Sequence, residues 1–181
     1  MNTIVDALLE WDKQLFLILN QLFSPSWDTF WLAVTNAITW LPLYAVLIGR
    51  LIKNSNSHST WIFRIALSLV GLLLWDQGAN FVKELIARPR PCQEELEGIR
   101  ILVHCSAYGF FSAHAANTFG LAFLMRKWLK PSWFPILIGV AFIQSFSRIH
   151  VGVHFPLDLL AGALWGIFIS TILVRIDSKF S

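Results

Sequence analysis

Polar side chains are concentrated in three short segments of a chain that is otherwise strongly apolar. The segments are residues 83–91, 111–114 and 147–158. They contain lysine, arginine, serine, histidine and aspartate, which are the residue types that bind and cleave a phosphoester. Charged groups within apolar segments are costly unless they converge at a wet site. We therefore predict that the three segments form one site for phosphate chemistry.

The basic side chains of these segments suit the binding of an anion. A phosphoester carries negative charge that must be neutralised and held while phosphorus is attacked. Lys83, Arg90 and Arg148 supply positive charges, and a guanidinium can bind two phosphate oxygens at once. Ser112 and the backbone N–H groups of residues 112–114 lie where a helix is predicted to begin, and the first amides of a helix bind anions. We predict that all of these groups hold the phosphate.

Two histidines and an aspartate offer the remaining chemistry. One of His114 and His154 can attack phosphorus while the other protonates the leaving oxygen. Asp158 follows His154 by four residues and can orient its ring by accepting a hydrogen bond from one ring nitrogen. Each residue also has a simpler explanation, as a snorkelling anchor, a helix cap, a packing histidine or a helix-start charge. The simpler explanations do not predict so complementary a set, so we favour the site.

The composition is typical of an integral membrane protein. Of the 181 residues, 56% are hydrophobic and 14% are charged, and the mean hydropathy is +0.60, whereas a soluble domain carries about 25% charged residues. The many tryptophans and phenylalanines fit aromatic belts at membrane interfaces. The net charge of +3 is too small and dispersed to indicate nucleic-acid binding. The chain has no internal repeat or long linker, so we predict a single domain over 1–181.

The apolar segments predict an all-α bundle with about five transmembrane helices, since a span takes about 20 residues. These segments run roughly over 27–49, 61–86, 113–129, 132–148 and 156–175. Residues 1–25 place Asp6, Asp12 and Lys13 between apolar residues at near-helical spacing. This pattern predicts an amphipathic helix in the membrane interface, or equally a helix packed on the bundle. The acidic residues stand where a cleavable signal peptide would need basic ones, so we expect none.

The five predicted spans place all three polar segments on one face of the membrane. The opposite face carries more Lys and Arg once those of the polar segments are set aside, and is therefore predicted to be cytoplasmic. The loop 88–112 is then extracytoplasmic. Its Cys92 and Cys105 can form a disulfide in an oxidising compartment, contributing about 2–3 kcal/mol, or remain free thiols. Their spacing is a poor zinc pattern.

The three segments also resemble the motifs of a known family, the type 2 phosphatidic acid phosphatases. These include membrane lipid phosphatases and share a site with vanadium haloperoxidases. The first motif, K-x6-R-P, matches Lys83 and Arg90-Pro91, and the third, S-R-x5-H-x3-D, matches Ser147-Arg148, His154 and Asp158. The second motif is usually P-S-G-H but reads Phe111-Ser112-Ala113-His114 here. The resemblance covers roughly residues 61–175.

The resemblance implies a helical bundle with an extracytoplasmic active site that needs no metal or other cofactor. By this resemblance His154 is the nucleophile that forms a phosphohistidine, Asp158 orients it, and His114 protonates the leaving group. Ala113 still offers its backbone N–H where the family has glycine. The residues implied to bind phosphate are Lys83, Arg90, Ser112, Ala113 and Arg148. His58, His104 and His150 match no motif position. Asn117, one turn after His114, either faces the site or, as we favour, makes a polar contact between spans.

The substrate is expected to be a lipid phosphate or diphosphate in a bacterial-type cytoplasmic membrane, with the site facing the periplasm or exterior. Undecaprenyl diphosphate is the first choice, because a small bundle with little outside the membrane suits a long-chain lipid. Lipid A, phosphatidylglycerophosphate and phosphatidate stay open as substrates. A lipid-to-lipid phosphotransferase is an alternative, and a non-catalytic lipid-phosphate-binding protein is a third. The sequence leaves the oligomeric state open.

Overall fold

The chain folds into helices joined by mostly short connections. The computed structural model describes residues 3–105 and 107–180, and within them the backbone forms no strand, only an isolated bridge between Pro89 and Tyr108. Short 3-10 turns lie at Pro25–Trp27, Ala37–Trp40 and Pro91–Gln93. The α-helices are α1 Thr3–Asn20, α2 Asp28–Thr35, α3 Leu41–Lys53, α4 His58–Ile86, α5 Ala113–Trp128, α6 Trp133–His150 and α7 Pro156–Phe180.

Two helices within the described residues are long and apolar enough to cross a membrane, namely α4 and the stretch Pro156–Lys179 of α7. The segment Pro25–Lys53 adds a third only if its two halves, which meet at 66°, count as one span. The predicted helices 113–129 and 132–148 correspond to α5 and α6, of 16 and 18 residues. The protein is therefore a helical membrane protein, and the count of five spans stays a prediction.

The segment 27–49, predicted as a span, is not one straight helix, because the helix breaks at Asn36. The backbone of Asn36 is extended, with φ −81° and ψ 127°. Its side-chain oxygen accepts a hydrogen bond of 3.0 Å from the Ile38 amide and so caps the following 3-10 turn. Asparagine side chains compete with helical hydrogen bonds in this way. Hydropathy is not sensitive to a single side-chain hydrogen bond of this kind, so the apolar segment alone did not predict the bend.

Helix α5 lies at the centre of the bundle and packs against α4, α6 and α7. Two glycines of α7 allow its backbone to contact that of α5. A Cβ on Gly162 would lie 2.4 Å from the Ser112 carbonyl oxygen, and one on Gly166 would lie 2.2 Å from the Ala116 oxygen. Small residues commonly permit such close helix packing in membrane proteins. The contact fixes the first turn of α5 against the second and third turns of α7.

Helix α1 packs one face on the bundle through Asp12, Phe16 and Asn20, all fully buried. The carboxylate of Asp12 is bonded inside the protein. Its partners are Arg88 and the Leu157 amide, at 2.7 and 2.9 Å. The described part of α1 also exposes several large apolar side chains. Packing on the bundle is thus observed, and the location of α1 at a membrane interface stays a prediction.

The end of α1 is held by the end of α6. The side-chain amide of Asn20 donates to the carbonyl oxygens of Ile149 and His150, at 2.8 and 3.0 Å. These carbonyls belong to the last turn of α6, where no intrahelical donor remains for them. The Asn20 oxygen accepts from the Arg100 amide at 2.8 Å. A single buried side chain therefore joins α1, α6 and the connection between α4 and α5.

Candidate active site

Most of the residues proposed for phosphate chemistry line one cavity of about 370 Å³. The cavity lies among the helices α2 to α6 and the loops that follow α4 and α6. Two of the proposed residues, Ser112 and Asp158, lie behind its wall and are fully buried. The six that line the cavity are Lys83, Arg90, Ala113, His114, Arg148 and His154.

His154 is held between a carboxylate and a guanidinium. It lies in the loop between α6 and α7 and is 2% exposed. Its Nδ1 is 3.3 Å from Oδ2 of Asp158, and its Nε2 is 3.4 Å from Nη1 of Arg90. Oδ2 of Asp158 also accepts a hydrogen bond of 3.0 Å from the Phe155 amide, which fixes the carboxylate. When Nδ1 carries the ring proton and donates it to Asp158, Nε2 is unprotonated and its lone pair lies on the side of Arg90.

The surroundings of His154 keep its ring neutral. Burial lowers the pKa of His154 well below its ordinary value of 6.5, and the positive charges of Arg90, Arg148 and Lys83 lower it further. Both effects disfavour the imidazolium. At neutral pH the ring therefore retains a nitrogen lone pair that can attack phosphorus.

Arg90 is fixed in place by backbone carbonyls. Its Nε donates to the Tyr108 oxygen at 2.9 Å and its Nη1 to the Val153 oxygen at 3.2 Å. The residue is 7% exposed, and neither of these acceptors carries a full charge. A buried guanidinium without a carboxylate partner of its own can bind an anion strongly.

Arg148 and Lys83 provide two further cations on the cavity wall. Nη1 of Arg148 bonds to the hydroxyl of Thr35 on α2, and its buried Nε has no hydrogen-bond partner among the described residues. Nζ of Lys83 donates to Oδ1 of Asn80 at 3.2 Å. Both charged groups therefore retain donors that a bound phosphate can use.

The N-terminus of α5 supplies backbone donors beside these cations. Ser112 caps the helix, since its Oγ accepts from the Ala115 amide at 3.5 Å. The prediction that the Ser112 N–H binds phosphate is wrong in this structure, because that group donates to the Asp158 carbonyl at 3.0 Å. Ala113 and His114, the first residues of α5, have N–H groups without intrahelical acceptors. Both residues line the cavity.

Phe111, where the family motif usually has proline, belongs to the hydrophobic core. It is 5% exposed, and its ring centroid lies 5.8 Å from that of Trp165 on α7. The departure therefore adds packing between the start of α5 and α7. The cap of Ser112 on α5 is formed with phenylalanine and alanine in place of proline and glycine.

The family assignment follows from a comparison with known proteins. The family model described as the PAP2 superfamily matches residues 59–181, which is more than half of the chain and includes all three polar segments. The chain belongs to the PAP2 superfamily. The resemblance to the type 2 phosphatidic acid phosphatases, first seen in three short motifs, is confirmed.

Several relatives of this PAP2 protein carry names that describe action on lipid phosphates. It is 36% identical to the lipid A 4'-phosphatase of Bacteroides thetaiotaomicron over 91% of this chain and 76% of that protein. It is 32% identical to a putative undecaprenyl-diphosphatase of Escherichia coli over 71% of this chain and 62% of that protein. The crystal structure of Aquifex aeolicus LpxE superposes with a TM-score of 0.74 at 26% identity, covering 90% and 93% of the two chains. The chain is therefore a membrane lipid phosphatase of PAP2 type, a phosphate ester hydrolase.

The PAP2 site includes two residues that sequence reasoning missed. Nη1 of Arg88 donates to Oδ1 of Asp158 at 2.9 Å, and Nη2 donates to Oδ2 of Asp12 at 2.7 Å. Arg88 stands two residues before the motif arginine, so its presence in a polar segment was a signal. Nothing in the sequence pointed to Asp12, which lies 76 residues away from Arg88 and outside the matched region.

Asn117 faces the site in the PAP2 protein. A polar contact between spans was the favoured expectation, but the residue lines the cavity. Its buried Oδ1 has no hydrogen-bond partner in the part of the chain that the structure describes. Asn117 therefore belongs to the wall of the site and not to a helix–helix contact.

His150, which matches no PAP2 motif position, lies outside the cavity. Its Nε2 is 2.9 Å from Oδ1 of Asp28 on α2, so it joins α2 to α6.

In the connection between α4 and α5, the sulfur atoms of Cys92 and Cys105 are in contact and the Cα atoms are 6.4 Å apart, within the range of a disulfide. Among the described residues, no group of three or more His, Cys, Asp or Glu side chains is arranged to hold a metal ion.

Proposed function

We propose that this PAP2 protein removes the 4'-phosphate of lipid A through a phosphohistidine on His154. The observation that carries the chemistry is the position of the His154 imidazole between Asp158 and Arg90, on a cavity wall that bears further cations. The choice of substrate is supported by the 36% identity to a lipid A 4'-phosphatase over most of both chains. It replaces undecaprenyl diphosphate as the first choice.

In the first step, phosphate oxygens bind the side chains of Lys83, Arg90 and Arg148. Nε2 of His154 attacks phosphorus and forms a P–N bond, while the P–O bond to the sugar oxygen breaks on the opposite side. The negative charge of the bound phosphate favours the protonated form of His114. His114 donates this proton to the departing oxygen, which leaves as a lipid alcohol. Asp158 accepts a hydrogen bond from Nδ1–H and stabilises the positive charge that develops on the ring.

In the second step, a water molecule attacks the phosphohistidine and the P–N bond breaks. His114, now without its proton, accepts a proton from that water. Orthophosphate leaves and His154 returns to its neutral form. The amides of Ala113 and His114 bind phosphate oxygens in both steps, and Ser112 holds them in place as the cap of α5. Attack by a lipid hydroxyl instead of water would give a phosphotransferase, whose product is a phosphorylated acceptor lipid.

The proposed location is the outer face of a bacterial cytoplasmic membrane, where the whole chain acts as a single domain. The distribution of basic residues supports this orientation, since those outside the site favour the opposite face. An exterior position of the loop 88–112 also suits a disulfide between Cys92 and Cys105, whose sulfur atoms are in contact.

Undecaprenyl diphosphate is the second candidate substrate. It is supported by the 32% identity to a putative undecaprenyl-diphosphatase of Escherichia coli. The two candidates differ next to the scissile phosphate, where lipid A has a sugar and undecaprenyl diphosphate has a second phosphate. A direct comparison of the two lipids therefore separates the candidates.

The test is orthophosphate release by the purified protein in detergent from lipid A, undecaprenyl diphosphate, phosphatidylglycerophosphate and phosphatidate. We expect lipid A to have the highest kcat/KM, by about tenfold, which corresponds to about 1.4 kcal/mol. Release is expected to continue with a metal chelator and to stop with vanadate. His154→Ala serves as the blank. A higher kcat/KM for undecaprenyl diphosphate would overturn the substrate, and dependence on an added divalent metal would overturn the metal-free mechanism.

A further inference from the structure

A second group of polar side chains lines the cavity beyond the phosphate-binding residues. We call Tyr44, Asp76, Asn117 and Gln144 the polar collar. Its members come from α3, α4, α5 and α6 and therefore surround the cavity. Asn117 stands three residues from His114, Gln144 stands four from Arg148, and Asp76 stands seven from Lys83. Along a helix these separations correspond to about 5–10 Å. The collar thus lies deeper in the bundle than the phosphate-binding groups.

The collar contains a polar group that the protein itself leaves unbonded. The buried Oδ1 of Asn117 has no hydrogen-bond partner within the described residues. Buried polar groups are nearly always hydrogen-bonded in native proteins. The Gln144 side chain lines the same cavity wall and brings a further amide donor and acceptor. The wall therefore suits a ligand that carries hydrogen-bond donors and acceptors.

The polar groups of the wall follow the order of groups in a phosphorylated headgroup. The cations form one end of the cavity, and the collar follows. A molecule whose phosphate is joined to an uncharged polar unit presents its parts in the same order. The collar therefore corresponds to the part of the substrate next to the phosphate.

The charge of the collar distinguishes between possible joining units. Asp76 is its one charged member, and its Oδ2 accepts a hydrogen bond of 3.3 Å from Asn80. A second phosphate placed here would be repelled by the Asp76 carboxylate. A hydroxyl or an amide N–H would instead donate a hydrogen bond to it. The collar thus favours an uncharged unit with several donors over a diphosphate.

We infer that the polar collar binds a glycosyl headgroup through its hydroxyl and amide groups and thereby selects sugar-linked lipid phosphates. This inference rests on the proposed phosphatase reaction at His154 and names the residues that recognise the leaving group. Gln144 and Asn117 act as donors and acceptors to the sugar, and Asp76 accepts from a sugar donor and excludes a second anion.

The test measures kcat/KM for lipid A, for phosphatidate, which lacks a sugar, and for undecaprenyl diphosphate. In Gln144→Leu and Asn117→Ala, the ratio of the lipid A value to the phosphatidate value is expected to fall about tenfold, mainly through KM. In Asp76→Asn, the value for undecaprenyl diphosphate is expected to rise relative to lipid A. Gln77→Ala is the matched control, because Gln77 lies next to Asp76 on α4 but is exposed.

The outcomes separate the inference from the proposed reaction. An unchanged ratio in both Gln144→Leu and Asn117→Ala, with activity retained on phosphatidate, overturns the collar as a sugar site. Equal losses on all lipids do the same, because they show a role in the fold or in phosphate binding. If the wild-type protein releases no phosphate from any of the lipids, the proposed reaction itself is overturned, and the collar's role falls with it.

Discussion

Arg88 donates a 2.9 Å hydrogen bond to Asp158, the carboxylate that lies against His154. The same guanidinium donates to Asp12 of α1 at 2.7 Å, and both carboxylates are fully buried. The Phe155 ring lies under it, with its centroid 4.3 Å from the guanidinium carbon. A buried ion pair is stable only while its partners are complete. The first helix of the chain therefore supports the orientation of Asp158 through Arg88.

Asp12→Asn is expected to lower kcat about tenfold with little change in KM. The amide removes one of two negative partners of Arg88, which weakens a charged hydrogen bond worth about 1.5–3 kcal/mol and loosens Asp158. The measurement is steady-state phosphate release, with the pH profile of kcat as a second readout. Asp6→Asn is the control, since Asp6 is an exposed acid on the same helix. Equal kcat for both variants would show that Asp12 does not support the site.

The acid limb of kcat/KM is expected below pH 6.5. The pKa of His154 is lowered by burial and then by the charges of Arg90, Arg148 and Lys83. The neutral ring is the reactive form, so activity falls only as the pH drops through that lowered pKa, and kcat/KM reports the free enzyme. Lys83→Met is expected to move the limb to higher pH, while Lys127→Met, at an exposed position, leaves it in place. The ionisation of the substrate is measured separately. An acid limb of the wild-type kcat/KM profile at or above pH 6.5 would contradict the lowered pKa of His154.

Gly162→Ala is expected to reduce both stability and activity. Its new Cβ would lie 2.4 Å from the Ser112 carbonyl oxygen, so α5 and α7 must move apart at the site. Overpacking of this kind costs about 1–3 kcal/mol, and a shift of about 1 Å in catalytic groups can cost about 100-fold in rate. Thermal unfolding and phosphate release in detergent measure the two effects. Gly139→Ala, with no atom within 4 Å of its Cβ, should retain both, and equal behaviour of the two variants would refute the packing argument.

Loss of the proposed disulfide between Cys92 and Cys105 is expected to destabilise the loop above the site. For a sequence separation of 13 residues, the chain-entropy model gives about 3 kcal/mol. Cys92→Ser, Cys105→Ser and the double variant should therefore show the same lowered unfolding temperature. A reductant should lower that of the wild type alone. An unfolding temperature that does not respond to the reductant would show that the two thiols are free.

The sequence was sufficient for residues whose spacing is itself the signal. Lys83, Arg90, His154 and Asp158 stand at motif distances that are short along the chain and lie at the ends of apolar segments. The ends of helices could be expected to share one face, so their convergence could be predicted without coordinates. The family match then confirmed which family these residues belong to.

The features that were missed depend on contacts between distant parts of the chain. Nothing local marked Asp12 as part of the site, because its partner Arg88 lies far along the chain, in the connection after α4. Gln144 is an ordinary polar residue of α6 until packing places it on the cavity wall. Asn36 ends a helix inside an apolar run through a side-chain hydrogen bond to Ile38. Such local and long-range hydrogen bonds leave no periodic trace in the sequence.

The most direct test of the central claim is to trap the covalent intermediate. The protein is mixed with lipid A radiolabelled in its 4'-phosphate, denatured within the first turnover, and digested for peptide mapping. We expect acid-labile, alkali-stable label on the peptide that contains His154, and none in His154→Ala. Label on His114 instead, or rapid phosphate release with no labelled peptide at any time, would contradict the assignment of His154 as the nucleophile.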